Sequence, residues 1–396
     1  MTAELHPWPR SADGGTPRPL SRRSFLLGLG ATGLAACATD AGTAPSYDLG
    51  GSSELTMLNW SDYIDPTENG MLGTIDSFRA DSGIDITYLA DYTDNDAGYQ
   101  LVVENAIEAS TPAYDIVVPT NWRAAQMIEA GHAEPLPIEV IPNHVNLDPA
   151  YLTNPWDRGS RFQMPWQAGI TGIAYDPALT GRTIGSVADL FDPSFAGRVG
   201  LIGEMREAVG LAMLANGDDP SRPTPAAAED GLARISDAVA AGQITRATFE
   251  DFAPRVASGE LVAAMAWSGD AALLRVDRPD IEFVIPDEGA IQWFDTMVIP
   301  RQARNIEAAG RFMDYVYDPV NAARITAWVG YISPVLGVRD QLLAAGGALA
   351  VLAEDPILFP DDTNRTRLFT WGGLDEADEA RIDAEFQAVA GPLLES

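Results

Sequence analysis

Lysine is missing from all 396 residues, so the 25 basic side chains are arginines. Against 57 Asp+Glu they leave a formal charge of -32. Such a balance excludes a nucleic-acid or anionic-membrane surface, since both need basic patches. It can raise the local concentration of small cations, although a solvated acidic face also serves solubility. Cys37 is the one cysteine, which excludes an intramolecular disulfide. The histidines are His6, His132 and His144, with no His or Cys pair at ligand spacing, so no metal centre is expected. Beyond residue 37 no apolar run reaches the about 20 residues of a spanning helix. Serine-hydrolase elbows and phosphate loops are absent as well, and no cofactor is called for.

What is present begins with an export leader. Ser21-Arg22-Arg23-Ser24-Phe25-Leu26 sets two arginines before an apolar run, Phe25 to Ala36, that is too short to cross a bilayer and reads as a twin-arginine signal. Leu34-Ala35-Ala36-Cys37 resembles a bacterial lipobox, whose cysteine becomes the lipidated first residue. A buried helix ending in a free cysteine is the plainer alternative, but caps and polar-face residues are lacking. Gly28-Leu29-Gly30-Ala31-Thr32-Gly33 fits the dinucleotide fingerprint by chance, with no strand before it and no ribose-binding acid after it. Ala38 to Ser53, rich in Ala, Thr, Gly, Ser and Asp, reads as a tether. The protein is therefore expected to work outside the cytoplasm, in the periplasm or on the outer face of the cell membrane.

The remaining roughly 360 residues suffice for two lobes at the usual ~100–200 residues per domain. Leu55–Leu58 predicts a strand, Leu72, Ile75 and Phe78 one face of a helix, and Ile84–Tyr88 a second strand. Val102, Val103 and Ile107 mark a further helix, Tyr114–Val118 a strand, and Ala125, Ile128 and Glu129 another helix. After Trp166 the pattern repeats with strands at Gly172–Tyr175, Val199–Ile202 and Leu261–Trp267, and a surface loop at Pro220–Pro225. Strands alternating with helices predict an α/β fold with a parallel or mixed sheet covered on both faces.

Ligands in open α/β sheets sit beyond the carboxyl ends of strands, so the residues there carry the functional reading. Those positions are Asn59-Trp60-Ser61-Asp62-Tyr63, Pro119-Thr120-Asn121-Trp122, Glu204-Met205-Arg206-Glu207, Trp267-Ser268-Gly269-Asp270, Gln292-Trp293-Phe294-Asp295 and Gly330-Tyr331. Aromatics and carboxylates recur, the composition of a site for an organic cation: indole faces attract a cation by about 0.5–2 kcal/mol, and acids pair with ammonium groups. Trp293 and Asp295, two apart, share one side of an extended segment. Glu204 and Glu207, three apart, share one face of a helix's first turn, where capping by Glu204 is the alternative use. Isolated tryptophans are more often core, but several Trp clusters at successive strand ends are harder to explain that way.

In that order and spacing, Asn59–Tyr63, Asp115-Ile116-Val117-Val118-Pro119, Trp267–Asp270, Pro286-Asp287-Glu288-Gly289 with Trp293–Asp295, and Gly330-Tyr331-Ile332-Ser333-Pro334 resemble the polyamine-binding proteins of bacterial ABC importers, from about residue 54 to about 390. The resemblance implies a two-lobed, type II periplasmic-binding-protein-like fold with the ligand cleft between lobes, closing by hinge bending. It implies residues 1–36 as leader, 37–53 as tether, 54–169 with 294–340 as lobe 1, and 170–293 with 341–396 as lobe 2. It also implies that Trp60, Ser61, Asp62 and Tyr63 line one side of the cleft, with Thr120 and Trp122 near one end. Glu204, Glu207, Trp267 and Asp270 come from the second lobe. Trp293 and Asp295 lie near the hinge with Asp295 gripping an ammonium, and Tyr331 closes the aromatic box. Ser61-Asp62 and Asp270 resemble the putrescine type rather than the spermidine type, which favours putrescine. Gly372-Gly373 stand where the spermidine type offers glutamine. The implied partners are the polyamine and a membrane permease and ATPase complex, met by a lipid-anchored monomer that is not an enzyme.

Two alternatives remain at this level. The same fold could bind another small cationic solute, such as an amino-acid derivative or opine-like compound. Paired acids, Glu204 with Glu207 or Asp270 with Asp295, could serve an extracytoplasmic glycosidase if about 5–9 Å apart. Asp91, Asp94 and Asp96 lack the glycine of a calcium loop and read as a solvated turn before a helix.

Overall fold

The computed structural model describes residues 53–394, apart from Asn69, Thr93, residues 104–112 and Glu250. The expected leader, the lipobox with Cys37, the tether before Ser53 and Ile107 lie outside the described residues. The strands are β1 (Glu54–Trp60), β2 (Asp85–Tyr92), β3 (Ile116–Val117), β4 (Gln163–Tyr175), β5 (Val199–Ile202), β6 (Ile244–Thr248), β7 (Ala263–Trp267), β8 (Glu282–Val284), β9 (Ala290–Val298) and β10 (Leu368–Phe369). Helices alternate with them, giving the expected mixed α/β fold.

The chain divides into two units. The first holds the described residues up to Ile170 together with Gln292–Arg365; the second holds Thr171–Ile291 and the chain from Thr366 onward. In the first unit β1 pairs in parallel with β2 and with β3, and β3 meets β9 antiparallel at Val117 and Val298. Its core packs Phe78 edge-on against Phe312, with ring centroids 5.3 Å apart, and stacks Trp166 on Phe312 at 6.3 Å. Helix Thr74–Ser82 begins after Gly73, where a Cβ would stand 2.4 Å from the Asp65 carbonyl oxygen, and ends at Gly83 with φ 72°. Leu72 therefore precedes the helix and is exposed, instead of sharing the buried face with Phe78 as its spacing suggests.

In the second unit β5 pairs in parallel with β6 and β7, while β4 takes β7 and β8 antiparallel. Every residue of β4 and β5 is buried, as expected where helices cover both faces. Met205, Val209 and Met213, on helix Met205–Asn216, pack in one core with Ile235, Ile382 and Phe386.

Three expectations need adjustment. The strand at Tyr114–Val118 shortens to Ile116–Val117; before it, the Asp115 N–H still donates to the Thr56 carbonyl at 2.8 Å, and the buried Asp115 carboxylate takes the amides of Thr56, Arg304 and Asn305. β6, β8, β9 and β10 are additional, so Gln292–Asp295 lies inside β9 rather than after a strand. Residues 341–365 fall in the first unit rather than with 366–396. There helix Val338–Ala345 buries Val338 and Leu342, and the Arg339 guanidinium reaches the Ala353 carbonyl and Glu354.

Candidate binding site

In the first unit the strand-end residues converge on one acid. Asp295, 4% exposed on β9, accepts a hydrogen bond from the Tyr63 hydroxyl at Oδ2 and another from Thr120 Oγ1 at Oδ1, both 2.7 Å. Neither donor carries a charge, and no arginine or histidine pairs with Asp295 among the described residues. Burial pushes its carboxyl up to about 6, against the pull of the two O–H donors. A buried carboxylate is costly unless it is paired or protonated, and this one has two neutral donors and no cationic partner among the described residues. Thr120 meets Asp295 as an antiparallel bridge, which is how residues 175 apart in sequence come together.

Aromatic rings surround this acid's neighbours. Tyr63 lies edge-on to Tyr331 at 5.8 Å, and Trp293 lies 5.5 Å from Tyr331. Trp293 and Asp295 are two apart on β9 and so face one side of it. The indole settles against Gly169 of β4, where a built Cβ would stand 2.3 Å from Cζ2, so glycine is required for this approach. Gly330, with φ 72°, ends helix Pro319–Val329 and turns the chain to deliver Tyr331. Trp60 is half-buried and partly committed: its Nε1 donates to the Val118 carbonyl at 2.8 Å and its ring lies 4.7 Å from Tyr92. Ser61 and Asp62 are exposed in the turn after β1, Asp62 with φ 53° and Ser61 donating to the Ala90 carbonyl at 3.3 Å. Trp122 has the Arg123 guanidinium over its ring at 4.4 Å, so one face is already occupied by the protein's own cation.

In the second unit a similar set gathers around Glu207. Its Oε2 accepts from Trp267 Nε1 at 2.7 Å and from Thr171 Oγ1, and the side chain is buried. Trp267 ends β7 and lies 6.1 Å from Phe249. Asp270 is half-buried in the first turn of helix Ser268–Asp277, where the helix dipole favours an acid.

Glu204 does not share this arrangement. It is the N-cap of helix Met205–Asn216, accepting from the Arg206 amide at 3.4 Å and from the Arg206 guanidinium at 3.1 Å. Arg206, 6% exposed, also donates to Glu379 at 2.8 Å, and Glu379 receives the Leu374 amide at 2.8 Å and Trp371 Nε1 at 3.3 Å. Burial raises the Glu204 pKa while Arg206 opposes that rise. The capping alternative thus describes Glu204, and its carboxylate is paired with arginine instead of with Glu207. Gly372 is similarly accounted for: a Cβ there would stand 2.0 Å from the Ser221 carbonyl oxygen, so a glutamine side chain has no room at that position.

Sequence reasoning missed Asn95, Thr171 and Gly169. Asn95 lay inside the turn read as solvated, and indeed Asp94 caps helix Asn95–Val102 through the Ala97 amide and Asp96 pairs with Arg123. Thr171 and Gly169 sit within a continuous strand rather than after one, where nothing in the pattern distinguishes them from core. Among the described residues no group of three or more His, Cys, Asp or Glu side chains could hold a metal ion, and no helix is long and apolar enough to cross a membrane.

A family profile described as bacterial extracellular solute-binding protein matches residues 73–359. The spermidine/putrescine-binding periplasmic protein of Escherichia coli is 28% identical over 318 residues, covering 78% of this chain and 84% of the relative. The putrescine-binding periplasmic protein of the same organism is 26% identical over 337 residues, covering 80% and 85%. Among solved structures, the spermidine/putrescine ABC transporter substrate-binding protein of Streptococcus pneumoniae superimposes with a TM-score of 0.73 at 23% identity, covering 85% of this chain and 98% of that one. At that identity the likeness speaks for the fold.

Proposed function

The chain belongs to the bacterial extracellular solute-binding proteins, and from that premise we propose that it captures a polyamine for an ABC importer, with putrescine preferred to spermidine. The observation that carries this reading is Asp295: a buried carboxylate with two hydroxyl donors, no cationic partner among the described residues, and Tyr63, Trp293 and Tyr331 close by. An alkyl diamine supplies what is missing, an ammonium for the acid and methylenes for the aromatic faces. Glu207 with Trp267 is a second carboxylate–indole set of the same chemistry. A neutral sugar would leave Asp295 unpaired and is disfavoured. The names of the relatives support the ligand class. The preference for putrescine rests on Ser61-Asp62 and Asp270.

The pH dependence tests the reading. Because the folded value of Asp295 is raised from 3.8 to about 6, its proton stabilises the ligand-free protein fully at low pH, and that contribution is lost as pH rises through about 6. A bound ammonium needs the ionised form. Putrescine affinity should therefore be flat above pH 7 and fall about tenfold per unit below pH 6, with close to one proton released on binding near pH 5. Calorimetry in buffers of different ionisation enthalpy reads both. An affinity unchanged down to pH 4.5 would remove Asp295 from the role.

The reading extends to location. Twin-arginine export and lipidation at Cys37 would hold the protein at the membrane that carries its permease. Cys37→Ala in cells should move the protein from the membrane fraction to the soluble extracytoplasmic fraction; an unchanged distribution would contradict the lipid anchor.

A further inference from the structure

Thr120 occupies the N-cap of helix Asn121–Glu129, yet its hydroxyl makes no capping bond. A threonine at that position ordinarily satisfies a free amide of the first turn. Here the hydroxyl is used elsewhere, and the neighbouring Asn95 determines how. The Thr120 backbone N–H donates to Asn95 Oδ1 at 3.0 Å. That bond settles which end of the Asn95 amide is the oxygen, so the other end, Nδ2, is the group 2.9 Å from Thr120 Oγ1, and it can only donate. Thr120 Oγ1 therefore accepts from Asn95, and its single proton points at Asp295 Oδ1, 2.7 Å away. An ionised carboxylate only accepts, so the chain of bonds has one consistent direction.

We propose that Asn95 is a positioning residue: through Thr120 it commits one hydroxyl proton to Asp295 and holds that carboxylate in a single orientation before any cation arrives. Tyr63 fixes the second oxygen, so both oxygens of the acid are tied by neutral donors and the rotamer is locked. Among the charged groups that act on the buried Tyr92 hydroxyl beside this relay, Asp96 is paired with Arg123, which leaves Asp94 and Asp295 as negative charges without a balancing arginine there. Preorganisation of this kind removes the cost of arranging the acid when the ligand binds. Only the consequence for affinity rests on the polyamine reading; the positioning itself is a property of the ligand-free protein.

Asn95→Asp separates positioning from plain structural support. The new carboxylate would still accept the Thr120 amide, so a merely structural Asn95 would tolerate it. It could no longer donate to Thr120 Oγ1 and would compete for the hydroxyl proton. We expect the Asp295 carboxyl midpoint, followed by carbon-13 NMR in the full ligand-free chain, to rise by about one pH unit in Asn95→Asp. In a Thr120→Val background the same substitution should move it far less. Asn95→Ala, which adds no charge, should raise the midpoint in the same direction. Equal shifts with and without the Thr120 hydroxyl, or no shift in either variant, would overturn the proposal. Putrescine titration of the same proteins keeps the two claims apart. About tenfold weaker binding by Asn95→Asp at about pH 5, below both midpoints, supports both. A shifted midpoint in a protein whose parent binds no polyamine retains the positioning and rejects the function.

Discussion

Replacing Asp295 with Asn is expected to weaken putrescine binding by at least about 100-fold, because truncating one partner of a buried, hydrogen-bonded charge pair costs roughly 2–5 kcal/mol. The ammonium would lose its one fully buried counter-charge in the first unit, and an amide nitrogen would confront one of the two hydroxyls that now donate to Oδ1 and Oδ2. The same change should stabilise the ligand-free protein at pH 7.5. Its carboxyl titrates near 6, so at that pH the native state holds an ionised acid that burial disfavours. Weaker binding with a higher Tm is the signature of a group retained for ligand at the expense of stability. Glu204→Gln supplies the control: Glu204 is already paired with Arg206, so binding should change less than about threefold. Equal, small effects of both substitutions on affinity would reject Asp295 as the cation-holding acid. Titration calorimetry and thermal unfolding of the three proteins decide it.

The second large effect is on stability and lies in the second unit. Arg206 bridges Glu204 and Glu379 with little access to water, and Glu379 in turn holds the Leu374 amide and the Trp371 indole. Arg206→Met keeps length and apolar volume but leaves two acids facing each other without a cation. Breaking a buried pair from one side costs about 3–5 kcal/mol, so the Tm should fall by roughly 10 °C. Adding Glu204→Gln and Glu379→Gln to Arg206→Met should recover part of the loss, since those changes remove the stranded charges. A Tm within about 2 °C of the parent, roughly the effect of one exposed salt bridge, would show that the network carries no such weight. This ion-pair group also anchors the C-terminal helix Glu376–Leu394 to helix Met205–Asn216, with the Trp371 indole bonded to the same Glu379.

How much of this was legible in the chain depended on the range of the interaction. Trp293 and Asp295 could be placed on one side of β9 from their spacing alone, because strand periodicity is local. Val199–Ile202 was readable as a buried strand for the same reason. By contrast the bond from Tyr63 to Asp295 joins residues 232 apart, and its existence follows from strand pairing that no local pattern encodes. Glu204 and Glu207 look equivalent at helical spacing; Arg206, two residues after Glu204, makes the first a cap and leaves the second to Trp267 and Thr171. Asn95 was hidden by its acidic neighbours Asp94 and Asp96, which made the turn look wholly solvated. Its reciprocal bonds with Thr120 cross 25 residues and depend on helix Asn95–Val102 starting where Asp94 caps it.

The most direct measurement of the central claim is calorimetric titration of the leaderless protein, freed of carried-over ligand, with putrescine, spermidine, arginine and a neutral disaccharide at pH 7.5 and moderate salt. Saturable one-to-one binding of putrescine, weaker binding of spermidine and no heat from the disaccharide is the predicted result. Saturable binding of the disaccharide, or heat from neither polyamine, would contradict a site built around Asp295 for an organic dication.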